Sequence, residues 1–161
     1  MEQHNYFVFA RAIHVIGVVL WIGGVAFVTT VLIPSVKQLA SPEKRLELFE
    51  QLESKFSFQA KFVTLATGVS GYVMLDIIDG WDRYLYLQFW WMHLMTLVWA
   101  IFTLVLFVLE PLFLHQWFHK KAEQDSEKTF ALVHRMHIFL LSLSLIAVAG
   151  AVAGSHGYYI S

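Results

Sequence analysis

Long apolar runs dominate the chain, and its polar residues gather into a few short breaks between them. Ala12 to Ile33 holds no formally charged position, and a helix of about 20 such residues crosses a bilayer. A first span is predicted over 6–33, with Pro34 ending or kinking it because proline has no amide donor. Ser41-Pro42-Glu43-Lys44 has the form of a helix start: a hydroxyl N-cap, proline at the first position and an acid in the first turn. Over 43–58, Leu46, Phe49 and Leu52 fall on one side of a helix and Glu47, Glu50 and Glu53 on another. That spacing predicts an amphipathic interfacial helix running on into the second span. The second span, 60–78, is closed by the turn signal Asp79-Gly80. A third covers 84–109, with Glu110-Pro111 at its far end and 113–121 continuing as helix outside the membrane core. After the polar turn Ala122 to Lys128, a fourth span covers 130–154.

The predicted fold is therefore all-α: an integral membrane four-helix bundle forming one transmembrane domain over 1–161. Composition agrees. The chain is 58% hydrophobic and 14% charged, against about 25% charged in soluble domains. A net charge of −1 gives nucleic acid nothing to bind. The absence of cysteine removes disulfides, thiolate catalysis and Cys-ligated zinc or iron–sulfur sites. Eight histidines, backed by five methionines, are the remaining ligand supply. The leader contains Glu2 and Arg11, and the apolar run behind it exceeds the roughly 7–15 residues of a signal-peptide core, so no cleaved signal is expected. No lipidation motif appears.

Short-loop charge predicts orientation. Lys37, Lys44, Arg45 and Lys55 lie between spans one and two, with Lys61 at the edge; Lys120, Lys121 and Lys128 lie between spans three and four, with Arg135 at the edge. The opposite side offers Arg11 and Arg83. Both long connections are expected to be cytoplasmic and both termini outside, in a multi-pass protein of a bacterial inner membrane. Trp81, Tyr84, Tyr86, Trp90, Trp91, Tyr158 and Tyr159 would then form an outer aromatic belt.

Ionisable groups inside membrane helices are costly and mark functional candidates. His14 lies about eight residues into the first span and His93 about nine into the third, so both sit roughly 12–14 Å from their helix starts. Imidazoles at matched depth on two bundle helices suit the two axial positions of haem b iron. Arg11, one turn nearer the surface on the His14 face, can hold a propionate. Gly17, one turn deeper, can admit a flat macrocycle. Small residues such as Gly68, Gly71, Gly150 and Gly154 equally permit close helix packing, and an intramembrane histidine can serve as hydrogen-bonding glue. His115, His119, His134 and His137 form a second group at the inner end. They read either as a hydrated interfacial patch or as a second haem or metal site, with His137 the deepest. Lys61 and Glu110 end their spans at one level, where a salt bridge or a proton route is open to them. Met74, Met92, Met95 and Met136 read as packing residues, although Met92-His93-Leu94-Met95 also offers soft ligands to Cu(I). His4 and His156 are terminal and expected to be solvated.

The first-span motif R-A-I-H-V-I-G-V-V-L-W-I-G-G-V-A-F, followed by Ile33-Pro34, resembles the CopD-like (copper resistance D) integral membrane proteins. It is similar, more distantly, to the HemJ-type protoporphyrinogen oxidases. The resemblance covers the first span and the four-span layout, with weaker likeness in the third. It implies a four-helix membrane bundle able to bind haem b, with a first-helix histidine matched by His14. The HemJ pattern has a lysine in the third span, where this chain has Trp90-Trp91-Met92-His93 and no lysine.

Three functions follow as expectations. The first is a cytochrome b-like protein that holds one or two haem b groups through His14 and His93 and moves single electrons between a membrane pool, such as quinone, and a partner protein or small oxidant. A second haem would be held by His137 with His115 or His119. The second is a copper-handling protein using His14, His93 and the methionines. The third is a HemJ-like enzyme. No catalytic residue is assigned. The lipid bilayer is the one certain partner, and a homo-oligomer stays open.

Overall fold

The computed structural model describes residues 2–158, apart from the side chains of Glu43 and His115. Every regular element among them is helical. Helix α1 (Glu2–Phe27) passes through a π-wound stretch (Val28–Leu32) into α2 (Ile33–Leu39). Helix α3 (Pro42–Ile77) is followed by two single-turn 3₁₀ pieces, Trp81–Leu85 and Leu87–Phe89. Helix α4 (Trp90–Leu104) continues through a second π-wound stretch (Val105–Leu114) into α5 (His115–Gln124), and α6 (Ser126–Ser155) closes the chain.

Three helical runs, Glu2–Leu39, Leu87–Leu114 and Ser126–Ser155, are long and apolar enough to cross a membrane. Their outer faces are apolar too: Phe9, Val19, Leu97, Phe139 and Ile146 all stand exposed. Water punishes such a surface and lipid does not, so the exterior suggests a membrane protein. The amphipathic segment and the second predicted span are one unbroken helix, α3. In its N-terminal half, Phe49 is buried with Val28, Leu32, Ile33, Val36 and Phe130.

Neither proline stops its helix. Ile33 donates its N–H to the Val28 carbonyl, five residues back. In that register the next donor would be Pro34, which has none. The Thr29 carbonyl it would have served instead meets Nε2 of His134 on α6 at 2.9 Å. Winding to π and borrowing a donor carry the helix on to Leu39. Pro111 likewise lies inside the ten-residue π-wound stretch rather than at a helix end. The turn after α3 does form: Asp79 takes the left-handed conformation (φ 48°), and the Gly80 N–H bonds the Leu75 carbonyl at 2.9 Å.

Helices α1 and α3 run antiparallel, since Gly24 lies at Phe56, Gly17 at Thr67 and His14 at Gly71. Helices α4 and α6 are paired in the same sense, with Trp90 and Trp91 on Gly150, and Trp91 on Gly154. Trp91 is thereby buried, so it belongs to the helix interface and not to a surface aromatic belt. Trp81, Tyr86 and Tyr158 are exposed as expected, and Tyr159 lies outside the described residues. In lipid, helix association depends on such close packing more than on a hydrophobic drive. Across the centre, Trp21 meets Phe102 edge-on at 5.0 Å.

At the connection end, Phe49, Phe118 and Phe130 pack with ring centroids 5.5 Å apart. Arg45 donates to the Ala40 and Lys37 carbonyls at the end of α2 and to Glu127 at 2.7 Å, with Lys37 on the same carboxylate at 2.8 Å. Asp125 caps α6 by accepting from the Lys128 N–H at 3.0 Å. The side-chain bond from Lys128, with that backbone bond, holds the Asp125 carboxyl below its usual range.

Candidate functional site around His14

His14 stands on the face of α1 that carries Ala10, Gly17, Trp21 and Val25, all buried. Positions three and four apart share a helix face, so this histidine continues the packed stripe toward the N-terminal end. It is itself half-buried. Its Nδ1 lies 2.9 Å from the Thr67 carbonyl of α3 and 3.4 Å from the Ser70 hydroxyl. That carbonyl has two lone pairs, so the imidazole Nδ1–H can donate to it while the helix bond persists. A histidine fixed through Nδ1 presents Nε2 as its free acceptor, the geometry of a metal-ligating imidazole oriented by a backbone carbonyl. Gly71 leaves the space the ring occupies: a Cβ there would stand 3.2 Å from His14 Cε1.

Gly17 does not open a slot for a flat ring. A side chain there would collide with the Thr67 hydroxyl, so this glycine lets α3 approach. Gly24, Gly68, Gly150 and Gly154 do the same against Phe56, Trp99 and the Trp90-Trp91 pair. Arg11, one turn before His14, is exposed and has no ion pair among the described residues.

His93 is not brought to His14. It is exposed, with Nε2 2.9 Å from the Tyr84 carbonyl and Nδ1 3.3 Å from the Phe89 carbonyl. Its ring packs edge-on to Tyr84 at 5.3 Å, and the Tyr84 hydroxyl bonds Thr96 at 2.7 Å. The neighbouring residue Met92 is buried in its place. A cleft of about 350 Å³ at this end runs between Arg83, Phe89, Trp91 and Gly154, and neither histidine lines it. The two rings share no partner: His14 is held by Thr67 of α3, and His93 by Tyr84 and Phe89 before its own helix.

At the other end, His134 serves the carbonyl freed by Pro34, and His119 lies 3.5 Å from Glu50 and 3.6 Å from Glu123. His137 is half-buried, with Nδ1 2.9 Å from the Val133 carbonyl of its own helix. The exposed His156 makes the same local bond to Val152, so that geometry carries no ligand signal by itself. The side chain of His115 lies outside the description. Lys61 and Glu110 do pair, at 2.8 Å, joining α3 to the stretch after α4. Among the described residues, no three His, Asp or Glu side chains gather as a metal cluster.

Sequence reasoning missed the partners of His14. Thr67 and Ser70 carry a legible signal, hydroxyls three apart within a membrane-depth run, but their ring partner depends on which helix packs there. Compared with known proteins, the chain matches no family model, no curated protein and no solved structure.

Proposed function

We propose that the chain is a haem b protein of a bacterial inner membrane, with His14 as the protein ligand to iron. It transfers single electrons between a membrane pool, such as quinone, and a partner protein or small oxidant. The observation that carries this is the cross-helix bond from His14 Nδ1 to the Thr67 carbonyl, 2.9 Å, which fixes the ring and leaves Nε2 as its free face. The resemblance of the first span to CopD-like proteins points the same way.

In this proposal the C-terminal half of α3 is a fourth span, completing a four-helix bundle with both termini outside. Lysines and arginines of the two long connections support that orientation. A haem held by His14 would supply the one-electron chemistry. The chain's own residues orient and insulate it. Thr67 sets the imidazole tautomer and raises its basicity as a ligand. Arg11, exposed one turn before His14, would hold a propionate by paired hydrogen bonds. His93 keeps its bond to the Tyr84 carbonyl and takes no part.

The test is an absorption spectrum of protein purified from haem-supplied cells. A Soret band with a stoichiometric haem content supports the proposal. A colourless protein, or one carrying copper, refutes it.

A further inference from the structure

Helices α4 and α6 meet at one end of the molecule, where Trp91 packs on Gly154. The apolar runs that contain them, Leu87–Leu114 and Ser126–Ser155, start and stop there, so this end lies at a bilayer surface. The cleft of about 350 Å³ opens between these helix ends. Phe89, Trp91, Met92 and Ala151 give it apolar walls, and Arg83 and Ser155 are its polar side chains. Among the described residues, no carboxylate or imidazole lines it. Leu85 and Leu87, beside it in the chain, are 82% and 87% exposed. Placing them at the border of the acyl chains takes that apolar area out of water. Arg83, two residues before Leu85, then lies at the level of the lipid phosphates.

Arg83 is half-buried, with its guanidinium carbon 5.6 Å from the centre of the Phe89 ring. Its side chain makes no hydrogen bond or ion pair among the described residues. Asp82, next in the chain, is exposed and does not pair with it. The ring occupies none of the in-plane donors, so the fork of N–H groups stays open to an anion with two oxygens. Nothing else in the lining opposes an anion. The Ser155 hydroxyl donates to the Val152 carbonyl at 2.9 Å. The last carbonyls of α6 are covered: Ala153 accepts from His156 and Tyr158, and Gly154 from Gly157. A quinol head would need a proton acceptor on oxidation, and this lining offers none. A permanent anion with an apolar body needs only the cation and the walls.

We propose that the cleft binds one anionic phospholipid, with its phosphate on Arg83 and its glycerol and upper acyl region against Trp91, Met92 and Ala151. The net charge of the lipid matters as well as its phosphate. A zwitterionic head brings an ammonium beside Arg83, and the cleft has no carboxylate to receive it. The site involves neither His14 nor haem.

The experiment uses the full chain, stripped of lipid in a neutral maltoside detergent and titrated with phosphatidylglycerol or phosphatidylcholine. Bound lipid is counted by native mass spectrometry. One phosphatidylglycerol is expected to bind, on the order of tenfold more tightly than phosphatidylcholine. Arg83→Gln weakens it on the order of tenfold, and Ala151→Phe, which fills the cleft and keeps the cation, weakens it likewise. Lys44→Gln, at the far end of the molecule, leaves it unchanged. Equal binding of the two lipids overturns the proposal, as does unchanged binding in Arg83→Gln or in a folded Ala151→Phe. Displacement of the lipid by an equal concentration of inorganic phosphate also overturns it, because the site is then one for a free ion. Arg83 holds no other side chain, so Arg83→Gln is expected to keep the wild-type melting midpoint and decides the matter if Ala151→Phe does not fold. Each failure leaves the haem proposal standing, since His14 lies outside the cleft.

Discussion

The α1–α3 groove around His14 and the α4 surface around His93 hold the same side chain, and the two regions treat it in opposite ways. In the groove, glycines at 17 and 71 bring two helices close, and a carbonyl of the facing helix takes one ring nitrogen. On α4 the ring lies exposed, and both nitrogens meet carbonyls of its own neighbourhood, Phe89 and Tyr84. One imidazole is positioned by tertiary structure with a face to spare. The other ties down the segment before its own helix. Depth in a membrane helix does not make a histidine a ligand. What matters is which nitrogen the protein has already used and which helix used it.

The largest expected effect comes from closing the groove. Gly17→Leu drives a side chain into Thr67, and overpacking of this kind costs about 1–3 kcal/mol. A large drop in the thermal midpoint of the detergent-solubilised protein is expected; an unchanged midpoint shows that α3 does not pack there. Trp99→Phe tests the link between the two regions. It removes the indole donor to the Thr64 carbonyl while keeping an aromatic body over Gly68, for a loss of about 1 kcal/mol in the same melt. Tyr84→Phe removes only the exposed hydroxyl bond to Thr96 and is expected to change stability by less than about 0.5 kcal/mol. A loss as large as that of Gly17→Leu would erase the contrast between the regions.

Much of this was legible in the residues, and the reason is periodicity. Apolar runs located the helices, and Ser41-Pro42 marked the start of α3. Lys61 and Glu110 announced their pairing by ending their spans at one level. Facing was not legible. A helix turns about 100° per residue, so Met92 is buried and His93, one position on, is exposed. No depth argument separates them. Of the two outcomes expected at Pro34, an end or a kink, the end does not occur. Pro34 and Pro111 remove donors, but the winding around each turns to π, and at Pro34 an imidazole from α6 serves the freed carbonyl, a compensation that is not local in sequence. Glycines were ambiguous in the same way: Gly17 could have faced a cofactor or a neighbour, and Thr67 decided it.

The central claim is that Nε2 of His14, and not His93, is the ligand position. It is tested most directly by His14→Gly and His93→Gly, each purified from haem-supplied cells and titrated with imidazole. The expected result is that His14→Gly loses its Soret band and regains it with imidazole, while His93→Gly keeps the wild-type spectrum untreated. Contradiction would be an unaltered spectrum in His14→Gly, or a loss in His93→Gly that imidazole restores.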